Sequence, residues 1–139
     1  MRGPIHVLLI DDNFADAELA RETLADGRLQ AEVTTACNGR EALSFLQQAL
    51  SDERLPDLIL LGFNMPELDG PGLLAELRQR EVLRSIPVVM LASSDAEEDI
   101  VHSYRLGARY YLTKPLGLSE FQETVRSVED FWLSLAGTA

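Results

Sequence analysis

A single cysteine, Cys37, stands in a chain of 139 residues. One thiol excludes an intrachain disulfide, so a hydrophobic core must hold the fold, and a reducing compartment is indicated. Long apolar runs are also missing. The stretch "HVLLI" (6–10) is ended at once by Asp11 and Asp12, too short for a secretion-signal core and far too short to span a bilayer. Positive charge is scarce: 12 Lys and Arg face 23 Asp and Glu, for a net charge of -11, with no basic cluster. Such a surface repels phosphate backbones and anionic headgroups, which disfavours nucleic acid and membranes as partners. No linker, repeat or low-complexity tract divides the chain. Gly70-Pro71-Gly72 lacks the Lys-Ser/Thr of a phosphate-binding loop and reads as the turn that opens a helix. What remains is one cytoplasmic domain over residues 1–139, with a core of about 5–134, whose 46% hydrophobic content suits burial at this length. Its last residues, "LAGTA", are expected to fray.

Short apolar runs alternate five times with helical patterns. The runs are "HVLLI" (6–10), "AEVTTA" (31–36), "DLILLG" (57–62), "PVVMLA" (87–92) and "RYYLT" (109–113). Three are apolar almost throughout, as strands covered on both faces of a parallel sheet must be. Between them Leu43, Leu46 and Leu50 share a helix face, as do Leu73, Leu74 and Leu77. Leu118, Phe121, Val125, Val128 and Trp132 recur at steps of 3, 4, 3 and 4. Gly27 follows the first helix and Gly107 closes the fourth. Five βα units with short links imply right-handed crossovers and helices on both faces. The expected class is α/β, a flavodoxin-like (βα)5 three-layer sandwich with strand order 2-1-3-4-5.

In such a sheet, ligands bind beyond the carboxyl ends of the strands. Those ends supply Asp11 and Asp12, Gly62 to Asn64, Ala92 and Ser93, and Thr113-Lys114-Pro115. Two carboxylates suit Mg²⁺, which prefers oxygen ligands, and a lysine offers a point charge to a phosphoryl group or carboxylate. Taken singly these residues have plainer readings. Asp12 or Asn13 can cap the first helix, and Lys114 can be a surface loop residue. Their convergence at one sheet edge points to a site.

The motifs "VLLIDDN", "PDLILLGFNMPELDG", "VVMLASSDAEEDI" and "GARYYLTKP" make the chain resemble the receiver domains of two-component response regulators over nearly its full length. The final "VEDFWLSL" further resembles the small single-domain regulators that partner bacterial phytochrome kinases. The resemblance implies an aspartate after the third strand that takes a phosphoryl group from a kinase histidine. It also implies Mg²⁺ held by Asp11, Asp12 and the Asn64 carbonyl, a phosphate-site lysine at Lys114 and an inward-turning aromatic at Tyr111. Two positions depart from that pattern. The acceptor falls on Gly62, two residues before Asn64 and four before Pro66, and the hydroxyl position after the fourth strand falls on Ala92. Glycine has no side chain and cannot be a nucleophile. It also removes a carboxylate ligand, so Mg²⁺ binding is expected to be weak or absent. As a purely structural feature, Gly62 would be a hinge relaxing the turn after its strand.

No neighbour replaces the acceptor well. Asp57 starts the third strand, ~16 Å away at strand rise. Asp69 reads as a turn residue, and Ser93 points to the opposite face from Ala92. With the acceptor gone, Lys114 is expected to pair with Asp12. Among the other chemical residues, His6 and His102 read as structural or surface groups, and Cys37 as a small buried residue. Trp132 is expected inside and Phe131 partly exposed. The expected function is a phosphorylation-independent receiver, not an enzyme, that acts through protein contacts. Its partner would be a sensor histidine kinase, of the phytochrome type, or another regulator. A homodimer would form through the fourth helix, fifth strand and fifth helix. Two alternatives compete: a phosphoacceptor that uses Asp11 or Asp12, and a flavodoxin-like cofactor-binding protein. Against the latter, no glycine-rich phosphate cradle follows the first strand.

Overall fold

The apolar runs form strands β1 (His6–Ile10), β2 (Glu32–Ala36), β3 (Leu58–Gly62), β4 (Val88–Ala92) and β5 (Tyr110–Thr113). The computed structural model describes residues 5–114 and 118–137. Pro115, the side chains of Leu118 and Phe121, and the last two positions of the segment expected to fray lie outside the described residues. Every strand pairing is parallel, in the order β2-β1-β3-β4-β5. This is the expected flavodoxin-like arrangement, and each strand begins within one residue of its apolar run.

The helices are α1 (Phe14–Asp26), α2 (Gly39–Ser51), α3 (Gly70–Arg78), α4 (Glu81–Arg84), α5 (Glu97–Leu106) and α6 (Leu118–Gly137). Among the described residues six form instead of five because the link between α3 and β4 winds a single turn, α4, that buries Leu83. One turn is too short to carry a helical period in the sequence. The α6 helix continues to Gly137, well into "LAGTA".

Alternation along each strand divides the apolar residues between two cores. Leu8, Ile10, Ile59, Leu61, Val88 and Met90 face one side of the sheet, where Leu46, Leu73, Leu77 and Leu83 cover them. Val7, Leu9, Leu58, Leu60, Val89 and Leu91 face the other, against Leu24 of α1 and Val125 and Val128 of α6. Strands β3 and β4 are buried at every residue. Each fully buried Leu or Ile contributes roughly 2 kcal/mol, so the central strands fix the sheet and hold the loops at their carboxyl ends. The outer strands β2 and β5 are only partly covered, with exposed and half-buried positions among their residues.

Two glycines are required by geometry. Gly107 ends α5 in the left-handed region, at φ 110°, and its N–H reaches the carbonyls of Ser103 and Tyr104. At Gly70 a Cβ would overlap the Gly62 carbonyl oxygen and stand 2.8 Å from Phe63 Cα. That close approach lets the Gly70 N–H bond the Phe63 carbonyl at 2.9 Å, which seats α3 directly against the end of β3. Asp69, expected as a turn residue, caps α3 by accepting the Gly72 N–H at 2.8 Å.

On the opposite side of the molecule, α6 is fastened to the turn after α1. Arg28 Nη2 lies 2.6 Å from Asp130 Oδ1, and its Nε lies 3.4 Å from Glu129 Oε1. Glu129 is buried and also accepts the Leu29 N–H at 3.4 Å.

Candidate functional site

The carboxyl end of β1 delivers Asp11 into the protein, where its N–H bonds the Ala36 carbonyl at 3.0 Å. The residue is only 4% exposed. Its Oδ1 accepts the Asn13 N–H at 3.0 Å, and its Oδ2 lies 2.7 Å from Lys114 Nζ. A buried carboxylate needs such partners, because desolvation without them costs several kcal/mol. Asn13, not Asp12, caps α1 by accepting the Asp16 N–H at 3.0 Å. The first turn of α1 then brings Asp16 to the same lysine, 3.3 Å from Nζ.

Lys114 follows β5, and its N–H bonds the Ala92 carbonyl at 2.6 Å, so the ends of β4 and β5 set its position. Burial disfavours its charge, but the hydrogen bond and charge of Asp11, and then those of Asp16, outweigh that and raise its pKa. The expected pairing with Asp12 does not form. Asp12 is exposed, while Asp11 at the strand end points into the space beside Lys114 and takes the amine instead. The remaining cavity bounded by Leu9, Asp11, Asp16, Ala20, Leu91 and Lys114 is about 10 Å³, room for no more than one water.

Gly62 is the last residue of β3, is fully buried, and lies opposite Leu91 in the ladder. The backbone there does not use the conformations open to glycine alone. Gly107 alone among the described glycines has a positive φ, and the Gly62 carbonyl is packed against Gly70. A Cβ at position 62 would stand 3.1 Å from the Ile10 carbonyl oxygen and 3.6 Å from Asp11 Cγ. A side chain there needs a shift of a few tenths of an ångström and would face the Asp11 carboxylate. The backbone therefore does not demand glycine at this point.

Ala92 is buried at the end of β4, and Ser93 beyond it is exposed. Tyr111 turns inward as expected. Its hydroxyl donates to the Ser94 carbonyl at 2.6 Å, and its ring meets Phe63 edge-on at 6.4 Å. Burial, and then the charges of Asp99 and Asp95, raise its phenol pKa. Asn64 is exposed on the loop after β3.

The groups a divalent cation would use are differently placed. Both Asp11 oxygens are engaged, Asp12 and Asn64 stand at the surface, and no side chain at 62 completes the set. Among the described residues no three His, Cys, Asp or Glu side chains gather to hold a metal.

The residue missed in the sequence is Asp16. An acidic residue in a helix's first turn is ordinarily explained by the helix dipole, so it carried no separate signal. Cys37 also differs from expectation. It is exposed beyond the end of edge strand β2, where its thiol donates to Glu41 at 3.3 Å; that bond raises its pKa and leaves it a poorer nucleophile. Asp57 accepts the His6 N–H at 2.9 Å at the far end of the sheet, and His6 bonds Thr34 at 3.0 Å. Both belong to the scaffold. His102 is exposed on α5.

Comparison with known proteins agrees with this architecture. Residues 7–126 match the response regulator receiver domain family. Response regulator Rcp1 of Synechocystis sp. is 39% identical over 132 residues, covering 94% of this chain and 90% of that protein. Among solved structures, the phosphorylated cyanobacterial phytochrome response regulator RcpA superposes with a TM-score of 0.86 at 41% identity, over 96% of each chain. The Mn²⁺-bound form of Rcp1 gives 0.83 at 39% identity, over 94% of this chain and 95% of that one. With its sheet order, its Asp11–Lys114 pair and these matches, the chain belongs to the response regulator receiver domain family.

Proposed function

We propose that this receiver signals in a two-component system without being phosphorylated at the end of β3, and that it acts by docking a protein partner. The observation that carries the reading is position 62. A Cβ there would stand 3.6 Å from Asp11 Cγ and 3.1 Å from the Ile10 carbonyl oxygen, so a side chain would face Asp11 after a small shift, and the glycine presents none. Covalent phosphoryl transfer needs an oxygen nucleophile within reach of the donor, and no general base or metal replaces a missing atom. Ala92 likewise offers no hydroxyl to contact a phosphoryl group. Divalent metal is bound weakly, because Asp11 is held by Lys114 and position 62 contributes no carboxylate.

The alternative acceptors are poorly disposed. Asp11 is buried beneath its lysine and an N–H donor, and Asp12 stands at the surface away from Lys114. Similarity to phytochrome-associated regulators makes a sensor histidine kinase the favoured partner class. The face of α5, β5 and α6 supports self-association. It exposes Val101, Tyr104 and Tyr110, and Tyr110 stacks on half-buried Phe131 at 5.7 Å. Symmetric dimers are the commonest oligomers, and light scattering across a concentration series reads this directly.

The test of the reading is intact mass. The wild-type protein incubated with acetyl phosphate and Mg²⁺ is expected to keep its unmodified mass, and an added phosphoryl group on any carboxylate would contradict it.

A further inference from the structure

The arginines are scattered along the sequence, but the fold gathers five of them. Helices return antiparallel to the strands they link, so the ends of α3, α4 and α5 lie near the amino ends of β4 and β5. Arg78, Arg84 and Arg105 occupy the last turns of those three helices, Arg80 joins α3 to α4, and Arg109 precedes β5. Arg78 Nη1 donates to the Leu106 carbonyl at 3.1 Å, which ties α3 to the end of α5. The Arg84 N–H bonds the Arg80 carbonyl at 2.9 Å, and the Arg109 N–H bonds the Val88 carbonyl at 2.8 Å, just past the exit of α4. All five residues are exposed.

Helix dipoles favour cations at carboxyl ends, but that alone does not account for the grouping. The helices α1, α2 and α6 carry no basic residue in their last turns, and Arg80 and Arg109 sit in no last turn. Nor is the charge neutralised locally. Among the described residues Arg80, Arg84, Arg105 and Arg109 form no ion pair or side-chain hydrogen bond, whereas Arg21, Arg28 and Arg40 each meet a carboxylate. Glu76 and Glu81, the exposed acids nearby in sequence, pair with none of the five.

We propose that this arginine end is a docking surface for an acidic segment of a partner protein. The guanidinium fork suits carboxylates, which it can grip through two parallel hydrogen bonds. Two observations favour a protein segment over nucleic acid or a lipid surface. The whole chain carries a net charge of -11 and repels dense polyanions. Val82 of α4 is also 50% exposed, an apolar contact that a peptide side chain can match. The inference rests on the preceding reading only in that the partner is a protein; it does not involve position 62, and its test uses no phosphodonor.

A fluorescein-labelled peptide of Glu and Leu, titrated with the full chain and followed by anisotropy, tests the surface. Wild type is expected to bind it, and more tightly as salt is lowered. Arg80→Glu/Arg84→Glu is expected to bind roughly tenfold more weakly, because two attractions become repulsions. Arg21→Glu/Arg40→Glu changes the net charge equally at other places and should stay within about twofold of wild type. Arg109→Glu, on a different element, should weaken binding by about threefold, so the outcome does not hang on the folding of one variant. No binding by wild type, or equal losses in both double variants, would overturn the proposal. So would tighter binding of duplex DNA or of phosphatidylserine vesicles than of the peptide. Phosphorylation of the wild type would contradict the preceding reading while leaving these outcomes intact, and the reverse holds as well.

Discussion

The two ends of α1 carry the same charge arrangement and use it differently. Beside each, one cation lies between a buried and a more exposed carboxylate. Near the start, Lys114 meets Asp11, whose side chain is 3% exposed, and Asp16 at 36%. Past the other end, Arg28 meets Glu129 at 5% and Asp130 at 64%. Arg28 is itself half exposed and spreads its donors over two carboxylates and the Arg126 carbonyl, fastening α6 to the turn. Lys114 is largely enclosed and concentrates its charge on Asp11 at 2.7 Å. Water shares the load at the arginine cluster and reaches the Asp11–Lys114 contact far less. The same three charges therefore make a fastening in one place and a site in the other.

That contrast can be broken at several points. The largest effect is expected for Lys114→Met, which leaves the Asp11 carboxylate buried without a counter-ion beside Asp12 and Asp16. The loss, read by urea unfolding, should be about 2–3 kcal/mol, below the full buried-pair range because the lysine is partly solvated.

Lys114 also fixes a pH dependence. Its pKa is raised in the folded protein, so its stabilising contribution is complete below the ordinary lysine value of 10.5 and is lost as pH rises through the higher folded value. Unfolding midpoints between pH 9 and pH 11.5, a window set around that value, should fall more steeply for wild type than for Lys114→Met. Parallel curves would show that the ion pair does not stabilise the fold.

Glu129→Ala should cost less, about 1–2 kcal/mol, chiefly because the Leu29 N–H loses its acceptor. Asp16→Asn should cost about 0.5 kcal/mol, since Asp16 is open to water while Asp11 keeps the lysine. Asp130→Ala is expected to leave the urea midpoint unchanged. If Asp130→Ala proved as damaging as Glu129→Ala, the division into buried and exposed partners would be wrong.

The architecture was legible because buried parallel strands must be apolar at nearly every residue, and "DLILLG" and "PVVMLA" are. The bare position at 62 was equally plain, since its distances to Asn64 and Pro66 are counted along the chain. Partner choice was not. Alternation along a strand predicts faces only while the strand lasts, and β1 stops at Ile10, so nothing in the pattern decided between Asp11 and Asp12 for the lysine. Asp16 was hidden by its usefulness to the helix dipole. Cys37 was misjudged because it follows edge strand β2, where one side already meets water. Trp132 is half-buried alongside Phe131, not fully inside, because helical spacing fixes a face but not how far that face extends past edge strand β5.

The central claim is that the pocket lacks only an oxygen nucleophile and its companion hydroxyl. Phosphoryl transfer to the Gly62→Asp/Ala92→Thr double variant, compared with wild type under one phosphodonor and followed by intact mass, tests it most directly. The account predicts one added phosphoryl group on the double variant and none on the wild type. A phosphorylated wild type, or a folded double variant that stays unmodified, would contradict it.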